Sequence, residues 1–261
     1  MEKRKNKYME LLNISVPIGI KLCAFGDVHG HEEQVDKLLE WHSKRDNIWL
    51  VSVGDLIDRG FGEECDERIT NKMKCLVDAG KGFIVRGNHE TKCLRRARQS
   101  GKPIKDYITW LSDQPISLTF VFNNGTRVVV LHGGVRPGHS HNDLIDDIEI
   151  CYIRNIDKNG KHAPLCSKIV DGKKTYFPSN PDSKSWHELY DGRFGYIISG
   201  HEAQRDGVPK FYNYSCNIDT ACYNTGKLTA MVYGENGREE VLIFVGKMKY
   251  EMPLKPDEYI E

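Results

Sequence analysis

Short apolar runs that stop at a glycine recur through the first hundred residues, and each gives way to a stretch with helical spacing. Residues 18–25 are mostly apolar and end at Gly26-Asp27, which predicts a buried strand. Residues 31–45 follow with Val35, Leu38, Leu39 and His42 on one helical face. A second strand is predicted at 48–53, ending at Gly54-Asp55, and a helix at 66–79 with Ile69, Met73, Leu76 and Val77 in register. A third strand at 82–85 ends at Gly87-Asn88 and leads into a helix at about 89–99.

Alternating strands and helices of this length imply parallel strands joined by right-handed crossovers. Function in such sheets collects at the carboxyl ends of strands, where all three glycine-ended motifs fall. The second half changes character. Residues 117–122 and 126–131 flank Asn123-Asn124-Gly125, a hairpin signal, and strands are predicted at 194–199, 211–219, 228–233 and 241–245. The expected fold class is α/β (α+β): two packed mixed sheets with helices outside, in a single domain over 1–261. Residues 136–193 are polar, rich in glycine and proline, and weakly periodic, so they are read as a cap or specificity insert over the site.

Composition narrows the classes. Hydrophobic residues make up 39% and charged residues 28% of 261, which fits a globular chain. The 37 basic and 37 acidic residues cancel, so no overall field draws the chain to nucleic acid or an anionic membrane. A basic start over 1–8 and the cluster Arg95, Arg96 and Arg98 are read as solvated faces. Eight scattered cysteines without a CxxC pair argue against a zinc knuckle and a disulfide scaffold. With no secretory or membrane-spanning run, a cytoplasmic location is expected.

Six candidate metal ligands sit where apolar runs end: Asp27 and His29 in GDVHG, Asp55 in GDLIDRG, Asn88 in RGNHE, His132 in LHGG and His201 in SGHEA. A two-metal hydrolytic site needs oxygen and nitrogen ligands around cations about 3.5–4 Å apart, with one group bridging. Asp27 and His29 can face one ion, and Asp55, with two oxygens to share, is the natural bridge. Asn88, His132 and His201 can complete the second ion. The donor set suits two divalent ions, manganese first, with iron, zinc, nickel or cobalt as alternatives. His89, oriented by Asp58, could protonate a leaving alkoxide, while Arg59 and Arg86 match phosphate oxygens. Glu90 reads as a first-turn helix residue favoured by the dipole. The histidines outside the motifs, His139 and His162 among them, read as surface or packing residues.

GDVHG, GDLIDRG, RGNHE, HGG and GH in this order resemble the calcineurin-like metallophosphoesterase superfamily. The DRG and GNHE forms are similar to its phosphoprotein phosphatase branch, which includes Ser/Thr phosphatases, symmetric dinucleoside tetraphosphate hydrolases and the phosphatase module of polynucleotide kinase–phosphatases. NIDTACYNTGKLTAMVY, at 217–233, resembles the closing segment of bacterial members. The resemblance implies a β-sandwich flanked by helices and in-line attack by hydroxide held on a metal pair. It implies that Asp27, His29 and Asp55 hold one metal and Asp55, Asn88, His132 and His201 the other. His89 with Asp58 would be the acid pair, and Arg59 and Arg86 the phosphate contacts.

The expected activity is hydrolysis of phosphomonoesters on protein or nucleotide. The alternative is a nucleotidyl hydrolase: symmetric cleavage of dinucleoside polyphosphates or removal of nucleic-acid end phosphates. A non-catalytic metal-dependent binding module is disfavoured, because all six ligands, His89 and Asp58 are present. The insert supplies Arg154, Lys161 and Trp186 as candidate substrate contacts, with packing favoured over stacking for Trp186.

Overall fold

The computed structural model describes residues 13–170 and 173–248, so the basic start over 1–8 lies outside the described residues. Along the chain, β1 (Ile14–Ser15) and β2 (Lys21–Phe25) precede α1 (Glu32–Ser43), β3 (Ile48–Ser52) and α2 (Glu63–Asp78). Next come β4 (Gly82–Ile84), α3 (Asn88–Gln99), α4 (Asp106–Ser112) and the hairpin β5 (Ser117–Val121) and β6 (Arg127–Leu131). The insert carries α5 (Asp143–Asp146), a 3-10 turn (Ile148–Cys151), β7 (Asn155–Ile156), β8 (Leu165–Val170), β9 (Lys173–Pro178), β10 (Lys184–Ser185) and α6 (Trp186–Leu189). The chain closes with β11 (Tyr196–Ser199), β12 (Lys210–Phe211), β13 (Ser215–Asn217), α7 (Cys222–Thr225), β14 (Lys227–Gly234) and β15 (Gly237–Val245).

Two mixed sheets result, one in the order β15-β14-β2-β3-β4 and the other β1-β5-β6-β11-β13-β12. β2, β3 and β4 run parallel, as the crossover pattern predicts, and β14 pairs antiparallel to β2. In the second sheet β6, β11 and β13 run parallel.

The period-two alternation of strands sorts side chains between layers. Along β2, Leu22 and Ala24 enter the core between the sheets, with Val51, Phe120, Val130, Ile198 and Met231. Cys23 and Phe25 point the other way, into the layer shared with Val35 and Leu38 of α1 and Ile69 and Met73 of α2. A third cluster covers the outer face of the second sheet, where Val129, Leu131 and Ile197 meet Ile150, Ile153, Ile156 and Trp186 of the insert. The expected sandwich with helices outside is therefore the fold.

Some boundaries differ for local reasons. The first long strand begins at Lys21, because Pro17 to Ile20 form a turn (Ile20 N–H to Pro17 O, 3.0 Å) that leaves Ile18 81% exposed. The run 211–219 is broken into β12 and β13, which fold back antiparallel. α4 has only seven residues, too short for periodicity to reveal, although Tyr107, Ile108 and Leu111 are buried. The insert, weakly periodic in sequence, still forms short pairs, β7 with β10 and β8 with β9.

Phe120 is fully buried between the sheets. Phe120→Ala should lower unfolding free energy by about 3–5 kcal/mol, read as an earlier urea midpoint at unchanged slope.

Candidate active site

The strand ends deliver the predicted residues to one place. Asp27 and His29 follow β2, Asp55 follows β3, and Asn88 and His89 open α3 beyond β4. His132 follows β6 and His201 follows β11, so both sheets contribute from one edge of the sandwich. The first two loops are stitched together, with Val28 and His29 N–H both donating to Asp55 O at 3.0 and 2.9 Å. Among the described residues, five of the six non-glycine residues with positive φ are His29, Asp55, Asp58, Arg59 and His201. Such strain costs on the order of 1–3 kcal/mol per residue and persists where the surroundings over-determine the backbone. Glycine is required where these loops pass closest to the carboxylates: a Cβ on Gly87 would collide with Asp55 Oδ1, and one on Gly200 with Asp27 Oδ1.

Asp55 lies at the centre. His29, Asp55 and His89 form one set of donor side chains, and Asp55, His132 and His201 a second, each set with atoms within 4.8 Å of one another. Asp55 Oδ2 lies 3.7 Å from His29 Nε2 and 3.3 Å from His132 Nε2. Asn88 Oδ1 is 2.9 Å from His132 Nε2, which brings the amide into the second set. Asp27 belongs to neither set by this measure. It accepts the His201 backbone N–H at 3.2 Å and faces the buried Asp219.

The donor chemistry fits divalent cations. His29 Nδ1 faces Ile57 O at 3.3 Å and His201 Nε2 faces Tyr152 O at 3.3 Å, so each ring can give its proton to a carbonyl and keep the other nitrogen's lone pair free. Burial holds both rings well below the usual histidine range and so neutral, with the charge of Arg154 adding to it at His201. His132 is different. Val53 O at 3.0 Å, Asn88 Oδ1 and Asp55 Oδ2 all present acceptors to its two nitrogens. Burial opposes a charge there, but Asp55, Glu90 and the Val53 carbonyl together outweigh it and the pKa is raised. Burial would likewise lift Asp55, yet the charge and hydrogen bond of His132 hold its carboxyl well below the usual range. Asp27 is pushed well up by burial and then by the charges of Asp219 and Asp55. A convergence of buried carboxylates and acceptor atoms is what a cation neutralises.

His89 and Asp58 form the expected pair, with Nδ1 to Oδ2 at 2.7 Å. Lys92 Nζ, at 3.1 Å, also meets that carboxylate. Burial would raise the Asp58 pKa, but the hydrogen bond from His89, with Lys92, holds it below the usual carboxylate range. Arg59 lies over the Tyr223 ring and places Nη2 2.8 Å from His89 Nε2. A guanidinium only donates, so Nε2 accepts here and the ring proton sits on Nδ1. Arg86 turns aside, donating from Nη1 to Ser112 O at 2.6 Å.

The insert residues divide. Arg154 Nη2 donates to His201 O at 3.2 Å, at the rim of the site, and Lys161 is exposed. Trp186 takes the packing role and not the substrate-cap role: only 2% exposed, it stacks on His187 and covers Gly134, so its ring is not available to a substrate. Two further residues hold the site together without being marked by its motifs. Glu90 is buried and accepts N–H groups from Asp55 (3.0 Å), Leu56 (2.8 Å) and Gly87 (2.8 Å), tying α3 to the Asp55 loop. The GNHE spacing to an orphaned loop N–H could have suggested this. Asp219 is buried, with its Oδ1 accepting Ala221 N–H at 2.9 Å, and no motif containing a histidine or glycine pair marked it.

Residues 20–205 match the family described as calcineurin-like phosphoesterase. A bis(5'-nucleosyl)-tetraphosphatase PrpE [asymmetrical] of Bacillus cereus is 26% identical over 248 residues, covering 83% of this chain and 92% of its own. A protein of the same name from Bacillus anthracis is 25% identical over the same length. Among solved structures, one provisionally described as a diadenosine tetraphosphatase superposes with a TM-score of 0.64 at 24% identity, over 88% of this chain and 96% of its own. A protein serine/threonine phosphatase of Saccharomyces cerevisiae superposes at 0.55 and 15% identity, over 96% of this chain and 89% of its own. The chain belongs to the calcineurin-like phosphoesterase family and is a metal-dependent phosphoester hydrolase.

Burial, and then the charge of Asp55, push the Glu90 pKa up to about 7 from 4.5. The carboxyl thus holds its proton more tightly folded than unfolded, so its stability contribution falls as pH rises through that interval. In metal-free protein, Glu90→Gln should cost about 1–3 kcal/mol at low pH by weakening the three N–H contacts. The gap to the native chain, read from urea midpoints, should narrow between about pH 5 and about pH 8. The opposite trend from His29 and His201 is common to both proteins and drops out of the difference. A constant or widening gap contradicts the assignment.

Proposed function

We propose that this chain hydrolyses nucleotide polyphosphates at a two-metal site, with Asp55 shared between the ions. The observation that carries the reading is the pair of donor sets meeting at Asp55, one of which includes His89, whose Nδ1 is bonded to Asp58. His29 and Asp27 would hold one ion, and Asn88, His132 and His201 the other. A pair of divalent cations, manganese by preference, supplies charge to the phosphoryl oxygens and lowers the pKa of water. The motif forms favour the phosphoprotein phosphatase branch, and a cytoplasmic location remains the expectation. Among the described residues no helix is long and apolar enough to cross a membrane.

The protein's own groups do the rest. His89, kept in orientation by Asp58, can carry a proton at Nε2 toward the leaving oxygen once Arg59 turns from it to the phosphate. Arg86 offers a second guanidinium, whose buried Nε has no hydrogen-bond partner. Residues 136–193 act as the specificity insert, with Arg154 joining it to the backbone of His201. The relatives named as tetraphosphatases align over 83% of the chain, which supports a dinucleoside polyphosphate over a phosphopeptide as substrate. Their name also favours asymmetric over symmetric cleavage.

With manganese added, the protein should release ATP and AMP from diadenosine tetraphosphate with a higher kcat/KM than for any phosphoserine peptide. Peptide turnover above dinucleotide turnover would overturn the substrate choice, and release of ADP the cleavage position. His89→Ala should reduce kcat by about 10²–10⁴-fold while leaving bound metal unchanged. Absence of metal-dependent turnover on dinucleotide, peptide and p-nitrophenyl phosphate alike would leave a binding module as the reading.

A further inference from the structure

The insert gathers a second set of metal-ligand side chains that shares no residue with the sets around Asp55. Donor atoms of His139, Asp147 and Glu149 lie within 4.8 Å of one another. The His139 side chain is 1% exposed, and its Nε2 has no hydrogen-bond partner although Asp147 Oδ2 is 3.3 Å away. His162 Nδ1 adds a fourth donor, 3.5 Å from Glu149 Oε1. The carboxylates are the more open members, so the group is walled by imidazole on one side and reachable from the other.

We propose that His139, Asp147, Glu149 and His162 bind a divalent transition ion, zinc or one of similar ligand preference, as a structural site distinct from the catalytic centre. Two imidazoles with two carboxylates form a donor set of the kind that zinc accepts in four-coordinate sites. A buried imidazole nitrogen facing the Asp147 carboxylate without a good hydrogen bond is poorly satisfied by protein alone. Arg136 is paired with both carboxylates, with Nε 3.1 Å from Glu149 Oε2 and Nη2 3.8 Å from Asp147 Oδ2, and the charge of Arg154 acts on His162. One guanidinium against two carboxylates leaves a residual negative charge, which a dication removes. Binding moves the His139 proton to Nδ1 and gives up a long contact there, from Arg136 N–H at 3.4 Å.

The site joins three separate stretches: the turn from Arg136 to His139, the turn through Asp147 and Glu149, and the strand bridge at His162. The middle stretch is bonded to the catalytic loop, since Ile150 O accepts N–H groups of Gly133 and Gly134 at 3.1 and 3.0 Å. An ion here fixes the turn that carries Tyr152 to His201.

The test uses the full chain, stripped with chelator and titrated with zinc against a chromophoric competitor, folding being checked by circular dichroism. Native protein should take up one equivalent beyond those of the Asp55 site. His139→Ala and Asp147→Asn should each lose that equivalent, and Asp55→Asn should keep it. Arg136→Ala should tighten it by about tenfold or more, because a competing positive charge is gone. Asp147→Asn, nearly isosteric, decides the matter if His139→Ala does not fold. Equal uptake by the native chain, His139→Ala and Asp147→Asn overturns the site. Loss of the equivalent in Arg136→Ala overturns it too, since the cluster would then be an arginine-centred ion-pair network.

Discussion

Asp55 holds a negative charge at 2% exposure on a backbone twisted into the left-handed region, and each of these conditions needs compensation from elsewhere. An isolated buried carboxylate would take a proton. Here imidazoles of His132, His29 and His89 approach Oδ2 at 3.3, 3.7 and 3.9 Å, and His89 N–H donates to Oδ1 at 2.9 Å. The backbone is held by Glu90, whose two oxygens take the N–H groups of Asp55 and Leu56. Those partners come from β2, β4 and β6 strand ends, so the charge is stable only when both sheets end at the same edge. Sheet packing and site assembly are therefore one constraint.

The lettering of the chain exposed much of this. Apolar runs ending in glycine located β2, β3 and β4, because each buried strand terminates where the backbone must turn sharply beside a carboxylate. The Asn-Gly pair likewise placed the β5–β6 hairpin, whose strands pair from Ser117 with Leu131 to Val121 with Arg127. Periodicity could not reveal α4, which is under two full turns long. Nor could it split 211–219, since β12 and β13 are both short and the turn between them contains no glycine or proline.

Among site residues, legibility followed side-chain chemistry. Histidines and aspartates beside glycines stand out because few other roles demand them there. Glu90 and Asp219 act through backbone N–H groups and through another carboxylate, relations that depend on contacts 35 residues apart for Glu90 with Asp55 and far more for Asp219 with Asp27. Trp186 carried two readings. A tryptophan in a polar insert suggests an exposed stacking surface, yet the insert has an apolar face of its own to bury. Its ring became the centre of that packing, against Gly134 and the outer face of the second sheet.

The contact between Arg59 and His89 links recognition to proton transfer in the proposed reaction. Arg59 cannot accept a hydrogen bond, so while its Nη2 stays 2.8 Å from Nε2 the imidazole has no proton on that side. A phosphate is the better partner for the guanidinium, offering two charged oxygens in place of one neutral nitrogen. Moving Arg59 to the phosphate therefore opens Nε2 to a proton, and Asp58, bonded to Nδ1 at 2.7 Å, stabilises the resulting imidazolium. In that reaction the arrival of substrate would arm the acid. Water reaching the site alone would find Nε2 already engaged by Arg59, and the pair would keep the acid disarmed until an anion displaced the arginine.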